Sequence, residues 1–178
     1  MPDSNTKRIP PDKRLAAVCG LFCPACTLYI GTQEDPERLA RTAELMGRPV
    51  EDCKCDGCRA DRRLWYCRTC TLATCASRKG IEFCGECKEY PCPDLQRFQA
   101  ERDHPHRAEL WEAQARIREA GYETWYQEAE KNFSCRECGA LNSAYDLACR
   151  KCGNTPSNDF VARHRSLIEE AMAPRKKP

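Results

Sequence analysis

Large aliphatic side chains are scarce in this sequence. Leu, Ile, Val and Phe together supply 25 of the 178 residues, whereas 31% of the residues are charged. A chain with so few large aliphatic residues and so many charged ones is not expected to build an ordinary hydrophobic core. We therefore expect another source of folding free energy. Long apolar runs are also missing, and the polar N-terminal segment lacks the pattern of a signal peptide. We therefore expect neither a membrane span nor secretion.

Catalytic signatures are missing as well. The sequence contains no G-x-S-x-G, no phosphate-binding loop and no H-E-x-x-H. There are three histidines, and none lies among the clustered cysteines; we expect His104 and His106 to begin a helix in solvent. A reactive thiolate left outside any metal site is the one catalytic group that stays open. The sequence favours a protein that is not an enzyme, and no catalytic residue is assigned.

Cysteine, in contrast, is abundant, with 16 residues. Without a secretion signal the expected compartment is the reducing cytoplasm, where paired cysteines are metal ligands more often than disulfides. Structural metal sites also supply folding free energy directly, which suits a chain with a thin core.

The spacing of the cysteines divides them into groups. A C-x2-C-x4-C pattern occurs twice, 17 residues apart, and two further groups of three precede it. Four-ligand closure would give these twelve cysteines three sites, each drawing on more than one group. The six sulfurs of the repeat are therefore expected to share metals with the two earlier groups. The four groups are Cys19, Cys23, Cys26; Cys53, Cys55, Cys58; Cys67, Cys70, Cys75; and Cys84, Cys87, Cys92.

The remaining four cysteines form two C-x2-C-G knuckles, Cys135 to Gly139 and Cys149 to Gly153. Glycine after each pair permits the tight turn that brings backbone N–H groups toward the sulfurs. This pattern predicts a zinc ribbon with short β-hairpins, whose ligands are Cys135, Cys138, Cys149 and Cys152.

All sixteen cysteines are thus candidate metal ligands, and about four zinc ions would satisfy them. The alternative is a [4Fe-4S] cluster in the N-terminal region with zinc in the ribbon. The formal net charge is +2, and four tetrathiolate zinc sites would take it to roughly −6. Cationic residues beside the ligands are expected to offset that charge: Lys54, Arg59, Arg68, Arg136, Arg150 and Lys151.

Helix signals lie between the cysteine groups. Asp35 and Pro36 predict a helix start, with Leu39, Ala43 and Met46 on one face and a stop at Gly47. Further helices are predicted from Thr69 to Lys79 and from Pro93 to Ala100. Between Pro105 and Lys131 we predict two helices, one before and one after Gly121. A last helix is predicted to follow a cap at Ser157.

The fold class that follows is a small, metal-stabilised, mainly α protein. We predict a disordered tail (1–14), a cysteine-rich multi-metal domain (15–103), a helical spacer (104–132), a zinc ribbon (133–155), a C-terminal helix (156–173) and a basic tail (174–178).

The motifs of the first domain also carry a family resemblance, over about Leu15 to Phe98. They are Cys19-Gly-Leu-Phe-Cys23-Pro-Ala-Cys26, Cys55-Asp-Gly-Cys58, the segment from Cys75 to Gly80, and Cys84-Gly-Glu-Cys87 with Tyr90-Pro91-Cys92. Together they resemble the uncharacterised family called domain of unknown function 3795. The resemblance implies a cysteine-rich, metal-binding domain without an assigned reaction, and it leaves the cysteines from Cys135 onward outside.

The function that the sequence favours is a cytoplasmic zinc-binding protein with structural metals that binds another protein. An iron-sulfur redox or electron-transfer protein is the alternative, and a nucleic-acid-binding zinc-ribbon protein is the second alternative.

Overall fold

The computed structural model describes residues 10–101 and 104–173. The predicted basic tail and the first nine residues of the predicted N-terminal tail lie outside this part. The described residues are mainly helical, as predicted, and contain no β-strand. Two isolated antiparallel bridges join Ala16 to Phe22 and Ser134 to Leu141, so the predicted β-hairpins of the ribbon are not confirmed. In the same residues, no helix combines the length and the apolar character needed to cross a membrane.

The helices are short, and four single 3₁₀ turns accompany them in the described ranges. The 3₁₀ turns are Lys13–Leu15, Cys23–Ala25, Cys84–Glu86 and Pro105–Arg107. The α-helices are α1 (Thr27–Gln33), α2 (Pro36–Leu45), α3 (Val50–Cys53), α4 (Trp65–Arg68), α5 (Thr71–Lys79), α6 (Pro93–Ala100), α7 (Leu110–Ala120), α8 (Tyr122–Phe133) and α9 (Asp159–Met172).

Several helix boundaries follow the local signals of the sequence. The Asp35 carboxylate accepts a hydrogen bond from the Arg38 N–H at the start of α2. Gly80 ends α5 in a left-handed conformation with φ 64°, which glycine adopts without steric cost. Leu39 and Ala43, predicted to share a face of α2 with Met46, are both buried, whereas Met46 is 49% exposed. This helix ends at Leu45, and Met46 is its C-cap.

The cap of the last helix also differs from the prediction. Asn158, and not Ser157, caps α9, and its side-chain oxygen accepts a hydrogen bond from the Val161 N–H at 2.8 Å. Ser157 is fully buried, and its hydroxyl has no hydrogen-bond partner among the described residues. Both side chains can cap a helix, but the extended residue before the first helical turn, with φ −162° and ψ 175°, is Asn158.

The main hydrophobic core joins the N-terminal cysteine region, the two central helices and the C-terminal part of the chain. At its centre the Phe22 ring meets Trp125, Tyr126 and Phe133, with centroids 6.1, 4.9 and 6.0 Å away. Phe133 then stacks on Phe160 of α9 at 5.0 Å. The aromatic side chains of α8 are therefore structural, and the segment predicted as a spacer supplies the middle of the core.

Two smaller cores lie around the cysteines of the N-terminal region. One gathers Leu72, Leu95 and Leu110 about Cys19 and Cys84. The other surrounds Cys53 and Cys55 with apolar side chains of α1 and α2 and with Leu64.

Candidate metal centre

The four C-terminal cysteines converge on one point. Their sulfurs all lie within 4.8 Å of one another, with Cys135 Sγ 3.7 Å from Cys152 Sγ and Cys138 Sγ 3.6 Å from Cys149 Sγ. A disulfide needs about 2.0 Å, so these are free thiols. A tetrahedral zinc ion with Zn–S bonds of about 2.3 Å sets its sulfurs about 3.8 Å apart. The cluster therefore has the dimensions of a tetrathiolate zinc site.

Two matching backbone turns hold these cysteines. The Gly139 N–H donates to the Cys135 carbonyl and the Gly153 N–H to the Cys149 carbonyl, each at 2.9 Å. Both glycines have positive φ, 72° and 77°, a conformation that favours glycine. The C-x2-C-G pattern thus forms the tight turns that its spacing indicates.

The turns also stabilise negative charge on the sulfurs. Burial raises the pKa of the Cys149 thiol, but the backbone N–H groups of Cys152 and Lys151 outweigh it and lower that pKa to about 6. The fully buried Asn142 adds an Nδ2 contact to the Cys149 sulfur at 3.6 Å. At Cys138 the hydrogen bond from the Ala140 N–H lowers the pKa of the thiol. Burial and the neighbouring thiols raise that pKa by more, so the net shift is upward. One thiolate is therefore favoured, and a cation would be needed to hold more.

Charged contacts tie this cluster to the N-terminal region. Arg38 of α2 binds Asp146 through both guanidinium nitrogens, at 2.7 and 3.1 Å, and both side chains are largely buried. The Asp146 carboxylate also accepts a hydrogen bond from the Ser143 N–H at 2.7 Å. Arg150 donates to Glu34 at 2.6 Å. The loop between the two knuckles is thus fixed against α2.

The N-terminal cysteines are more widely spread. In residues 10–101 and 104–173, the C-terminal cluster is the one group of three or more Cys, His, Asp or Glu whose ligand atoms all lie within 4.8 Å. Burial, followed by the charges of Cys58, Cys55 and Cys26, raises the pKa of Cys67. Cys67 also packs against the small core that contains Cys53 and Cys55. It therefore lies beside the earlier cysteine groups, and the sharing of metals between the groups stays a prediction.

Cys84 and Cys53 have different charged neighbours. Burial and then the charges of Cys92 and Cys75 raise the pKa of Cys84 to about 12, so Cys84 has thiol neighbours in both copies of the repeat. Cys53 is fully buried, and burial and then Asp52 raise the pKa of its thiol. A ligand role for Cys53 stays a prediction.

Gln114 of α7 is a site residue that the sequence did not single out. Its Oε1 accepts the Gly85 N–H and its Nε2 donates to the Val18 carbonyl at 3.1 Å. The Val18 carbonyl also accepts the Cys84 N–H at 2.8 Å. Gln114 is fully buried, so one side chain ties the loop of Cys19 to the loop of Cys84. The available signal was a polar residue on the apolar face of a predicted helix.

His106 also differs from its prediction. We expected it in solvent, but its Nδ1 lies 2.7 Å from the Tyr145 hydroxyl and its ring is partly buried. Burial, and then the nearby charges of Arg107 and His104, lower its pKa to about 3. The prediction failed because the fold packs the 3₁₀ turn of Pro105 against the loop that carries Tyr145, a contact between segments distant in sequence.

Fold and cluster together define a mainly helical, cysteine-rich protein with one four-cysteine group able to hold a metal ion. Residues 15–97 match the model of the family described as "Protein of unknown function (DUF3795)", which confirms the resemblance seen in the sequence. The match includes twelve cysteines and ends before the C-terminal cluster. Searches of curated proteins and of solved structures found no significant match.

Proposed function

We propose that this protein binds zinc, that its metals are structural, and that residues 133–155 form a zinc ribbon. The observation that carries the proposal is the C-terminal sulfur group, with S–S distances of 3.6 and 3.7 Å against about 3.8 Å for the edge of a zinc tetrathiolate. The four cysteines would fill all four coordination positions of a zinc ion, as in structural sites, whereas a catalytic zinc keeps one coordination position open for water or substrate.

Purification without oxygen, followed by metal analysis and a visible spectrum, tests this function. A colourless protein with stoichiometric zinc is the expected result. Broad visible absorption with stoichiometric iron and labile sulfide would overturn the zinc assignment for the N-terminal region and establish the iron-sulfur alternative. The observation in favour of that alternative is that the sulfurs around Cys67 do not all lie within 4.8 Å of one another. A [4Fe-4S] cluster binds its cysteines at separate iron atoms, so it holds their sulfurs farther apart than a single zinc ion does.

A protein partner suits the surface better than a nucleic acid. Five of the six cationic residues beside the cysteines bind acceptors within the chain. Arg150, for example, donates to the Leu141 carbonyl and to Glu34, both at 2.6 Å, and Arg136 binds Asp159 at 2.6 Å. The other three are Lys54, Arg59 and Arg68. Side chains used in this way are not arranged to bind phosphates. Salt-dependent binding to mixed single and double strands would contradict this choice.

The surface that we assign to the partner lies where α2 ends and α3 begins. Leu45 is 88% exposed, and Met46 and Val50 are 49% and 37% exposed, which makes an apolar patch in a charged chain. The Arg48 guanidinium lies 4.2 Å from the centre of the Trp65 ring and fixes the loop between the two helices.

Affinity capture with matched variants tests the patch. We expect a partner retained by the wild type to be lost on Leu45→Glu with Val50→Glu, because charge in the patch would have to be desolvated on binding. Arg41→Glu, an exposed change on the same helix, is the control and should retain the partner. Equal capture by the wild type and the patch variant would contradict the assignment.

A further inference from the structure

The second copy of the cysteine repeat surrounds a small cavity. Four cysteines line it, together with apolar side chains and Lys79, and its volume is about 30 Å³. Cys84 is buried and the other three cysteines are partly buried. The four are Cys75, Cys84, Cys87 and Cys92.

Three separate backbone elements bring these cysteines together. Cys75 lies in the middle of α5, Cys84 begins a 3₁₀ turn that places Cys87 at its end, and Cys92 is the N-cap of α6. Leu72 and Leu95, both buried, close the apolar side of the cavity.

The electrostatics of the cavity also suit a metal thiolate centre. The thiols of Cys92, Cys75, Cys70 and Cys87 are charge neighbours of Cys84, and of these four only Cys70 does not line the cavity. Lys79, one helical turn after Cys75, donates from Nζ to Cys87 Sγ at 3.4 Å and forms an ion pair with Glu89 at 2.9 Å. A cation beside a thiolate offsets part of the negative charge that four sulfurs leave on a zinc site.

Resting on the zinc-binding function proposed above, we propose that Cys75, Cys84, Cys87 and Cys92 together hold one zinc ion. On binding, the four thiols release four protons to solvent and Zn²⁺ gains four Zn–S bonds. The sulfurs lie farther apart than in the C-terminal cluster, and the ion draws them to edges of about 3.8 Å. The second copy of the repeat then closes a site with Cys75 of the first copy, while Cys67 and Cys70 face the earlier groups.

Native mass spectrometry of the zinc-loaded chain in the presence of a chelator tests the shared site. Cys75→Ala and Cys92→Ala should each carry one zinc fewer than the wild type, and the double variant should also carry one fewer, because both residues bind the same ion. Ser77→Ala, an exposed change on α5 two residues after Cys75, is the matched control and should keep the full count. An unchanged count in the single variants, or a loss of two ions in the double variant, would overturn the site.

A ligand exchange keeps the test decisive if an alanine variant does not fold. In the cadmium-loaded protein, Cys92→His retains four ligands and should move one cadmium NMR resonance while the resonance of the C-terminal cluster stays in place. Movement of no resonance, or of the C-terminal one, would overturn the proposal. Absence of bound zinc from the wild type would instead reject the proposed function itself, so the two failures are distinguishable.

Lys79 gives an independent readout. Lys79→Met should weaken zinc binding at this site about 10-fold, the lower end for loss of a group that contacts a metal ligand. Lys88→Met, an exposed change next to Cys87, should leave the affinity unchanged. Equal effects of the two changes would contradict the role of Lys79.

Discussion

Replacing Gln114 by methionine tests whether this side chain holds the cysteine loops together. Methionine keeps nearly the same length and volume but can neither accept the Gly85 N–H nor donate to the Val18 carbonyl. The Gly85 N–H would be buried without a partner, which costs about 1–3 kcal/mol. The Val18 carbonyl still accepts the Cys84 N–H, so it is not left without a partner. Losing its hydrogen bond from Gln114 costs about 0.5–1.5 kcal/mol. The expected loss of stability is therefore about 1.5–4.5 kcal/mol.

Urea denaturation of the metal-loaded protein, followed by circular dichroism, measures this loss. Gln127→Met on the exposed side of α8 is the matched control and should stay within about 0.5 kcal/mol of the wild type. Zinc release to a chelator should also accelerate in Gln114→Met, because the loops of Cys19 and Cys84 lose their common support. Wild-type stability in the Gln114 variant would refute the reasoning.

Three further changes have expected outcomes. The pKa of His106 is about 3 in the folded protein and about 6.5 in the unfolded chain. Below pH 6.5 the unfolded chain therefore binds more protons than the folded protein, so acidification lowers the free energy of unfolding. From pH 7 to 5 the wild type should lose up to about 2 kcal/mol more than His106→Gln in urea titrations, and equal losses would contradict this. Gly85→Ala would place a Cβ 2.6 Å from Gln114 Oε1, so a drop of about 1–3 kcal/mol is expected in thermal unfolding, and an unchanged midpoint would count against it. Asn158→Ala should cost about 1–2 kcal/mol and Ser157→Ala much less, whereas the reverse order would place the cap at Ser157.

Local signals in the sequence were sufficient for the start of α2, for the end of α5 and for the C-terminal cluster, but not for the cap of α9. The Asp35 cap and the Gly80 stop act within a few residues, so they can be read without the fold. The same is true of the knuckles, since the turn that orients each cysteine pair is closed by the glycine that follows it.

Contacts between distant segments could not be read in this way. His106 meets Tyr145 across 39 residues, and Gln114 reaches Val18 across 96 residues. Neither contact leaves a periodic pattern in the sequence. The grouping of the N-terminal cysteines has the same origin, because spacing defines which cysteines share a turn but not which turns meet.

Native mass spectrometry of the wild type and of a variant with Cys138→Ser and Cys149→Ser tests whether the C-terminal cluster binds zinc. These residues form one of the two close sulfur pairs, 3.6 Å apart. We expect the wild type to carry a zinc ion in this cluster. The variant should carry one zinc fewer and retain the remaining ions. An equal zinc count in the two proteins, or a wild type without zinc, would contradict it.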